Sequence, residues 1–189
     1  MKKALLSVPL EKLNFMGGEP TVSKQLPEML DFAKNILGVR TYLGHSNGSN
    51  LPLPNLDGAN VGLKAWDQGV HLRYTGKLKS SIFHNFETAV HAGLEMKANM
   101  VFIPGFVDVD QVEATAAWLA AIDQEIPFHI MGYIPVPGQP YERPTKEQMA
   151  TVTEACRKHL RNIATSHLTS EEALDLTARD DRFAVRVIT

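Results

Sequence analysis

Cysteine is almost absent from this sequence: Cys156 is the only one among 189 residues. A lone cysteine cannot form a disulfide within its own chain, so a disulfide-stapled fold is excluded. The residues around it, 145–160, follow a helical pattern of apolar positions. We therefore expect Cys156 to be a half-buried thiol on a helix rather than a reactive one.

Long apolar runs and an excess of positive charge are also missing. The formal net charge is −2, which leaves no basic surplus for nucleic acid. No apolar run approaches the roughly 20 residues needed to cross a bilayer. The chain starts like a signal peptide, but Pro9, Glu11 and Lys12 interrupt the apolar stretch and no cleavage pattern follows. With 44% hydrophobic residues, the composition predicts one globular domain, which we place in the cytoplasm.

Several common catalytic patterns are absent as well. The seven histidines lack the i, i+4 spacing of helical metal ligands, so we predict no metal site. No Gly-x-Ser-x-Gly segment is present to form a nucleophile elbow. The pair Gly17-Gly18 lacks the further glycine and lysine of a phosphate-binding loop, which disfavours a nucleoside triphosphate site.

What the sequence does contain is an alternation of strand and helix patterns, which is typical of parallel βα units. Five short apolar runs predict strands, at residues 13–16, 41–45, 59–63, 100–103 and 128–133. Four amphipathic stretches predict helices, at residues 23–37, 80–94, 110–122 and 145–160. Thr145 and Gln148 have the spacing of a capping box, which marks the start of the last of these helices.

Polar residues follow the predicted strands, where each strand ends. They are Gly17-Gly18-Glu19, Ser46-Asn47-Gly48, Lys64, Pro104-Gly105 and Tyr133. In (β/α) barrels the loops after several strands jointly build the active site. In a doubly wound sheet the ligand lies in one crevice. Five polar strand ends therefore favour a barrel, or part of one.

The segment LNFMGGEP, Leu13 to Pro20, is the strongest candidate for a binding loop. Gly17 and Gly18 can adopt positive φ and let the main chain approach a ligand. Glu19 offers an acceptor suited to an ammonium group. The alternative is an ordinary turn with a solvated glutamate.

The segments GGEP, SNG, VGLKAWD, HLRYTG, VFIPGFVD and FHIMGYIPVPG resemble the middle and C-terminal part of a radical S-adenosylmethionine (SAM) enzyme. The resemblance covers nearly the whole chain. Within that superfamily, the run from KLNFMGGEPT through GHSNGS to SHLTSEEALDLTARDDRF is most similar to the methanogenesis marker protein 10 family.

The resemblance implies a partial (β/α) barrel over residues 1–168, similar in layout to glycyl-radical-activating enzymes, with a C-terminal extension at 169–189. It also implies SAM as the cofactor. The activity it implies for the complete protein is radical C-methylation of an arginine in methyl-coenzyme M reductase, with an added cobalamin-binding part.

The resemblance further implies the roles of eight residues. The amino group of the SAM methionine is held by Gly17, Gly18 and Glu19. Ser46 and Asn47 contact the ribose or the carboxylate. Lys64 pairs with the carboxylate, and Ile103 and Met131 flank the adenine. Each position has a plainer alternative, namely turn chemistry for Ser46 and Asn47, a surface lysine for Lys64, and core packing for the two apolar residues.

The sequence departs from the superfamily pattern at its cluster. Radical SAM enzymes hold a [4Fe–4S] cluster with three cysteines before the GGE strand, and this sequence has only Cys156. We therefore expect the chain to begin inside the fold, without the first strand and the cluster loop, and to end before any cobalamin-binding part. The alternative function is a non-catalytic barrel subunit, or a fragment, that supplies part of a SAM site to a partner chain.

Overall fold

The computed structural model describes residues 10–179, and a single parallel sheet forms its centre. The six strands lie side by side in chain order. They are β1 (Lys12–Phe15), β2 (Arg40–Ser46), β3 (Gly58–Gly62), β4 (Glu95–Phe102), β5 (Phe128–Gly132) and β6 (Ile163–Ser166). Sequential parallel order is that of a (β/α) barrel. Hydrogen bonds do not join β1 to β6 within residues 10–179, so this part of the chain forms an open, partial barrel.

Six helices connect these strands or follow them. They are α1 (Leu26–Asp31), α2 (Gln68–Thr75), α3 (Ser80–His91), α4 (Val109–Ile122), α5 (Lys146–Arg157) and α6 (Ser170–Arg179). A 3-10 turn, Pro20–Val22, precedes α1, and a π-helical turn, Phe32–Ile36, extends it. None of the helices between residues 10 and 179 is both long and apolar enough to cross a membrane.

Most of the predicted elements are confirmed, with shifted ends. The five strands occur where the apolar runs placed them, and β4 begins five residues earlier, at Glu95. The capping box of α5 forms, with the Thr145 hydroxyl accepting from Gln148 N and the Gln148 side chain accepting from Thr145 N. The predicted helix at 23–37 is corrected: regular helix starts only at Leu26, because Pro27 fits the first turn of a helix and not its interior.

Two helices and one strand were not predicted. Helix α2 carries few apolar residues, and α6 lies in the segment assigned to the C-terminal extension. Strand β6 is four residues long and half-exposed at the sheet edge, so its sequence shows no apolar run. The domain boundary at residue 168 stays a prediction.

The sheet has one apolar face and one polar face because side chains alternate along each strand. The face under the helices forms the core, with Val61, Met100, Phe102 and Ile130 packed against Phe86 of α3 and its neighbours on α4 and α5. Cys156 lies in this layer and is fully buried, more so than the half-buried thiol expected. Burial raises the pKa of its thiol to about 12, which disfavours the reactive thiolate form at neutral pH.

The opposite, concave face is polar. Asn60 pairs in register with Lys97, and Gly62 pairs with Asn99, which in turn pairs with His129. The Asn99 amide donates to the Asn60 side-chain oxygen at 2.9 Å. The concave face therefore presents hydrogen-bonding groups along the middle of the sheet.

A glycine on the concave face supplies a test of how tightly β3 and β4 pack. A Cβ on Gly58 would clash with the main-chain oxygen of Glu95 and with the ring of Tyr42, whereas one on Gly44 meets only the exposed side chain of Met16. We expect Gly58→Ala to lower the free energy of unfolding by about 1–3 kcal/mol, the usual cost of overpacking. Gly44→Ala should cost clearly less, because the Met16 side chain can rotate away.

Urea unfolding of both variants measures this difference. Equal losses of unfolding free energy would contradict the close approach of Gly58 to β4.

Candidate functional site

The carboxyl ends of the parallel strands lie at one edge of the sheet, and the loops that follow them form the candidate site. The first loop begins after β1 with Gly17 at φ 107° and Gly18 at φ 53°. Backbone conformations with positive φ favour glycine, because a Cβ would clash with the main chain. The glycine pair turns the chain and delivers Glu19 toward the end of β2.

The Glu19 carboxylate joins the β1 loop to the end of β2. Its Oε1 accepts from Thr21 N at 3.2 Å, from Thr21 Oγ1 at 2.7 Å and from Ser46 Oγ at 2.9 Å. Its Oε2 accepts from Asn47 N at 2.6 Å. Thr21, which sequence reasoning did not single out, thus supplies two of the four donors. The available signal was its position two residues after Glu19, because side-chain oxygens often accept hydrogen bonds from main-chain N–H groups two residues further on.

These hydrogen bonds set the charge of Glu19. Partial burial acts to raise the pKa of the carboxyl, but the bonds from Asn47, Thr21 and Ser46 outweigh it and lower the pKa. Glu19 is therefore an anion at neutral pH. Oε1 accepts three hydrogen bonds from the described residues and Oε2 accepts one, so Oε2 retains room for a cation.

Ser46 and Asn47 also organise the loop after β2. The Ser46 hydroxyl accepts from Gly48 N at 3.1 Å, and the Asn47 side-chain oxygen accepts from Ser49 N at 2.8 Å. The turn chemistry considered for these residues is therefore present, and it coexists with their contact with Glu19. Asn85 of α3 fixes the same loop by donating to the main-chain oxygens of Gly48 and Ser49 at 3.1 and 2.9 Å.

A cavity of about 630 Å³ lies beside this loop. Asn47, Lys64 and Lys77 contribute to its wall, together with Ser80 and Ser81 at the start of α3. The first turn of α3 has no side-chain cap. Unsatisfied main-chain N–H groups and the positive end of a helix favour an anion. The wall therefore combines two lysines and a helix start, all suited to negative charge.

Lys64 is the most buried cation at this cavity. Burial lowers the pKa of its ammonium group. Among residues 10–179, no group forms a hydrogen bond or an ion pair with the Lys64 ammonium group. Room for the ammonium group exists because the last residue of β3 is glycine: a Cβ on Gly62 would lie 3.4 Å from Lys64 Nζ and 3.5 Å from Asn99 Oδ1. The lysine thus lies over the concave face and not in the solvent.

Ile103 and Met131 lie further along the same edge. Ile103 is buried and lines a second cavity of about 450 Å³, beside Tyr133. Met131 is half-buried and pairs in register with Val101. The structure therefore joins Glu19, Ser46 and Asn47 directly and places Lys64 on a cavity that includes Asn47. Contact of Ile103 or Met131 with an adenine stays a prediction.

Between residues 10 and 179, His, Cys, Asp and Glu side chains form no group of three that could hold a metal ion. Cys156, the one cysteine of the sequence, lies on α5 and is buried among the core side chains of the helix-covered face. These residues do not fit an iron–sulfur cluster, which needs several thiolates.

Comparison with known proteins gives the family context of this site. No family model matches the chain. A protein of Methanocaldococcus jannaschii named as a glycyl-radical enzyme activating enzyme is 27% identical over 165 residues, covering 83% of this chain and 64% of that protein. A GTP 3′,8-cyclase of Psychromonas ingrahamii is 27% identical over 116 residues, covering 57% of this chain and 34% of the enzyme. The chain thus spans less than two thirds of the length of these relatives.

Solved structures share the fold. A domain of the pyruvate-formate lyase-activating enzyme of Bacteroides vulgatus is similar with a TM-score of 0.67 at 16% identity, covering 82% of this chain and 99% of that domain. A radical SAM methyltransferase of Sphaerobacter thermophilus is similar with a TM-score of 0.59 at 17% identity, covering 87% of this chain and 53% of the enzyme. The sequence relatives support the radical SAM superfamily, and the solved structures show the fold.

Enzymes of the radical SAM superfamily use SAM and a [4Fe–4S] cluster. The residues described here differ in how they fit the two groups. A carboxylate with a free acceptor position, a cavity and a lysine fit the amino-acid end of SAM. The single buried thiol does not fit the cluster.

Lys64 provides a test of the site without any ligand. Burial lowers the pKa of Lys64 in the folded chain. Between that lowered pKa and the ordinary pKa near 10.4, the unfolded chain therefore binds more protons than the folded chain. The free energy of unfolding rises with pH in that window. Below the window the folded protein carries a poorly solvated charge. We expect Lys64→Met to raise the free energy of unfolding at pH 7 and the difference from wild type to shrink toward pH 10.

Lys77→Met is the matched control, because Lys77 lines the same cavity but is exposed. It should leave the urea midpoint at pH 7 unchanged. If Lys64→Met lowered that midpoint, Lys64 would have an anionic partner within the protein and would not be free to receive one.

Proposed function

We propose that this chain is the SAM-binding core of a radical SAM enzyme. The observation that carries the proposal is the placement of opposite charges at the strand ends. The Glu19 carboxylate borders the loop of Asn47, and Asn47 shares its cavity with Lys64, which has no ion-pair partner among residues 10–179. The methionine end of SAM carries one ammonium and one carboxylate. A free acceptor position on Glu19 suits the ammonium, and Lys64 with the start of α3 suits the carboxylate.

In this proposal the chain binds and orients the cofactor. Glu19 is pre-organised by four hydrogen bonds, so little conformational entropy is lost when an ammonium joins it. A carboxylate bound beside Lys64 would offset part of the cost of burying its charge. When bound in a complete radical SAM enzyme, SAM supplies radical chemistry that the protein itself cannot perform.

The proposal for the substrate of the complete protein rests on sequence resemblance alone. The resemblance of KLNFMGGEPT, GHSNGS and the C-terminal segment to methanogenesis marker protein 10 supports a protein substrate and C-methylation of an arginine in methyl-coenzyme M reductase. A cobalamin-binding part belongs to the same proposal. Residues 180–183 of the C-terminal segment lie outside the described residues.

A second function is favoured by one specific observation. The one thiol of the sequence, Cys156, is fully buried among the core side chains, so it does not fit a cluster at the strand ends. A barrel subunit that supplies part of a SAM site, while a partner chain brings the cluster cysteines, is consistent with this thiol and with the same Glu19 and Lys64.

The SAM site is tested by Glu19→Gln in the 189-residue chain, with calorimetric titration of SAM. We expect affinity to fall by about 1.5–3 kcal/mol, the range for a hydrogen bond to a charged group. The amide also turns an N–H donor toward the network, so the urea midpoint is measured in parallel. Lys64→Met should weaken SAM binding as well, by removing the partner of the carboxylate.

Thr21→Val is the matched control, because it removes one donor from Glu19 Oε1 and leaves the charge in place. It should lower stability slightly and leave SAM affinity nearly unchanged. If Glu19→Gln bound SAM with unchanged affinity, the GGEP loop would be an ordinary turn and the proposal would lose its basis.

The single cysteine of the sequence leads to a separate expectation for catalysis. After anaerobic incubation with iron and sulfide, the isolated chain should form no 5′-deoxyadenosine from SAM under dithionite, because one buried thiol cannot assemble a [4Fe–4S] cluster. Chromatography of the reaction mixture, with Cys156→Ser as the control, measures this. Product above the protein-free background would show that this chain binds a cluster by other ligands.

A further inference from the structure

The second cavity, at the ends of β4 and β5, has a lining unlike that of the cavity beside α3. Its wall is formed mainly by Arg73, Tyr74, Ile103, Phe106, Tyr133 and Tyr141. Four of these six residues are aromatic, and the lining contains no acidic side chain. Its volume of about 450 Å³ lies within the range of ligand-binding clefts.

The rings form one connected group drawn from three separate segments. Phe106 stacks on Tyr141 with centroids 5.0 Å apart and planes 12° apart. Tyr74 of α2 lies 5.3 Å from Phe106, and Tyr133 meets Tyr141 edge-on at 6.3 Å. All four rings are only half-buried. Aromatic faces held together yet partly open to solvent offer stacking surfaces to a further ring.

Arg73 gives this aromatic surface a positive charge. Its guanidinium carbon lies 4.6 Å from the centroid of Phe106. Among residues 10–179, it forms none of the ion pairs found. A guanidinium stacked on a ring keeps its in-plane N–H donors available, and these match a carboxylate. A cationic ligand would be repelled at this position.

We propose that this cavity binds an aromatic side chain of a peptide substrate whose neighbouring residue is acidic, with the ring packed among Tyr74, Tyr133 and Tyr141 and the carboxylate on Arg73. This assignment rests on the proposed function for its peptide substrate. The cavity is open on one side, and the exposed segment at Val136 and Gln139 borders it, so a chain can pass. The residue that reacts would lie elsewhere, near the proposed SAM site.

The test uses capped dipeptides with the 189-residue chain and follows binding by NMR chemical shifts. Ac-Trp-Asp-NH2 should bind about tenfold more tightly than Ac-Trp-Lys-NH2, the discrimination expected from one charge-assisted hydrogen bond. Arg73→Gln should abolish this preference, and Phe106→Leu should weaken both peptides. Arg157→Gln, at an exposed arginine of α5 paired with Glu154, is the control and should change neither affinity.

Three results would overturn the proposal. Equal affinity for the two dipeptides, or a preference that survives Arg73→Gln, would remove the role of Arg73. Indole-3-acetate binding as tightly as Ac-Trp-Asp-NH2 would show a site for small aromatic acids. Loss of SAM affinity in Phe106→Leu would make the cavity part of the cofactor site.

The test is independent of the SAM proposal. Glu19→Gln should leave dipeptide binding unchanged, and Arg73→Gln should leave SAM affinity unchanged. Failure of one proposal is thus distinguishable from failure of the other.

Discussion

The parallel register of the sheet is the constraint on which the rest of this structure depends. Because consecutive strands pair in chain order, every loop that follows a strand emerges at the same edge. Alternation along the strands then divides each into an apolar side for the helices and a polar side for the concave face. A slip of one residue between β3 and β4 would turn Val61 toward solvent and Asn60 into the core.

This constraint explains why the proposed SAM site is assembled from three short segments. Each supplies one element: a glycine turn with Glu19 after β1, an amide-bearing turn with Asn47 after β2, and Lys64 after β3. The carboxylate is rigid because its donors come from its own loop and from β2. The lysine is costly to bury alone, and a cost of this kind is typical of a residue that meets an anionic partner when a ligand binds.

The two cavities at the strand ends differ in the chemistry of the side chains that line them. The cavity beside α3 combines lysines, hydroxyls and a helix start, whereas the cavity at β4 and β5 combines four rings with one arginine. Ile103 lies at the second cavity, so the predicted adenine contact and the proposed peptide subsite are neighbours. This arrangement is compatible with a cofactor and a substrate that bind side by side at one barrel mouth.

Local pattern determined a good part of this architecture. Apolar runs between helical stretches were enough to place β1 to β5, because the strand signal lies in consecutive side chains, and the Thr145 and Gln148 pair marked the start of α5. Polar residues directly after strands identified Glu19, Ser46, Asn47 and Lys64, since parallel strands bring such positions together. The sequence also determined that one cysteine cannot hold a cluster.

Only the tertiary structure decided the rest. Strand β6 is too short and exposed to show an apolar run, and α2 is too polar to show a helical stripe, so their existence depends on packing. Three features depend on residues distant in sequence or on the direction of a side chain. They are the two hydrogen bonds from Thr21 to Glu19, the space over Gly62 that receives Lys64, and the ring group around Arg73. Such contacts follow from distances and angles in three dimensions, which no local pattern of residue types encodes.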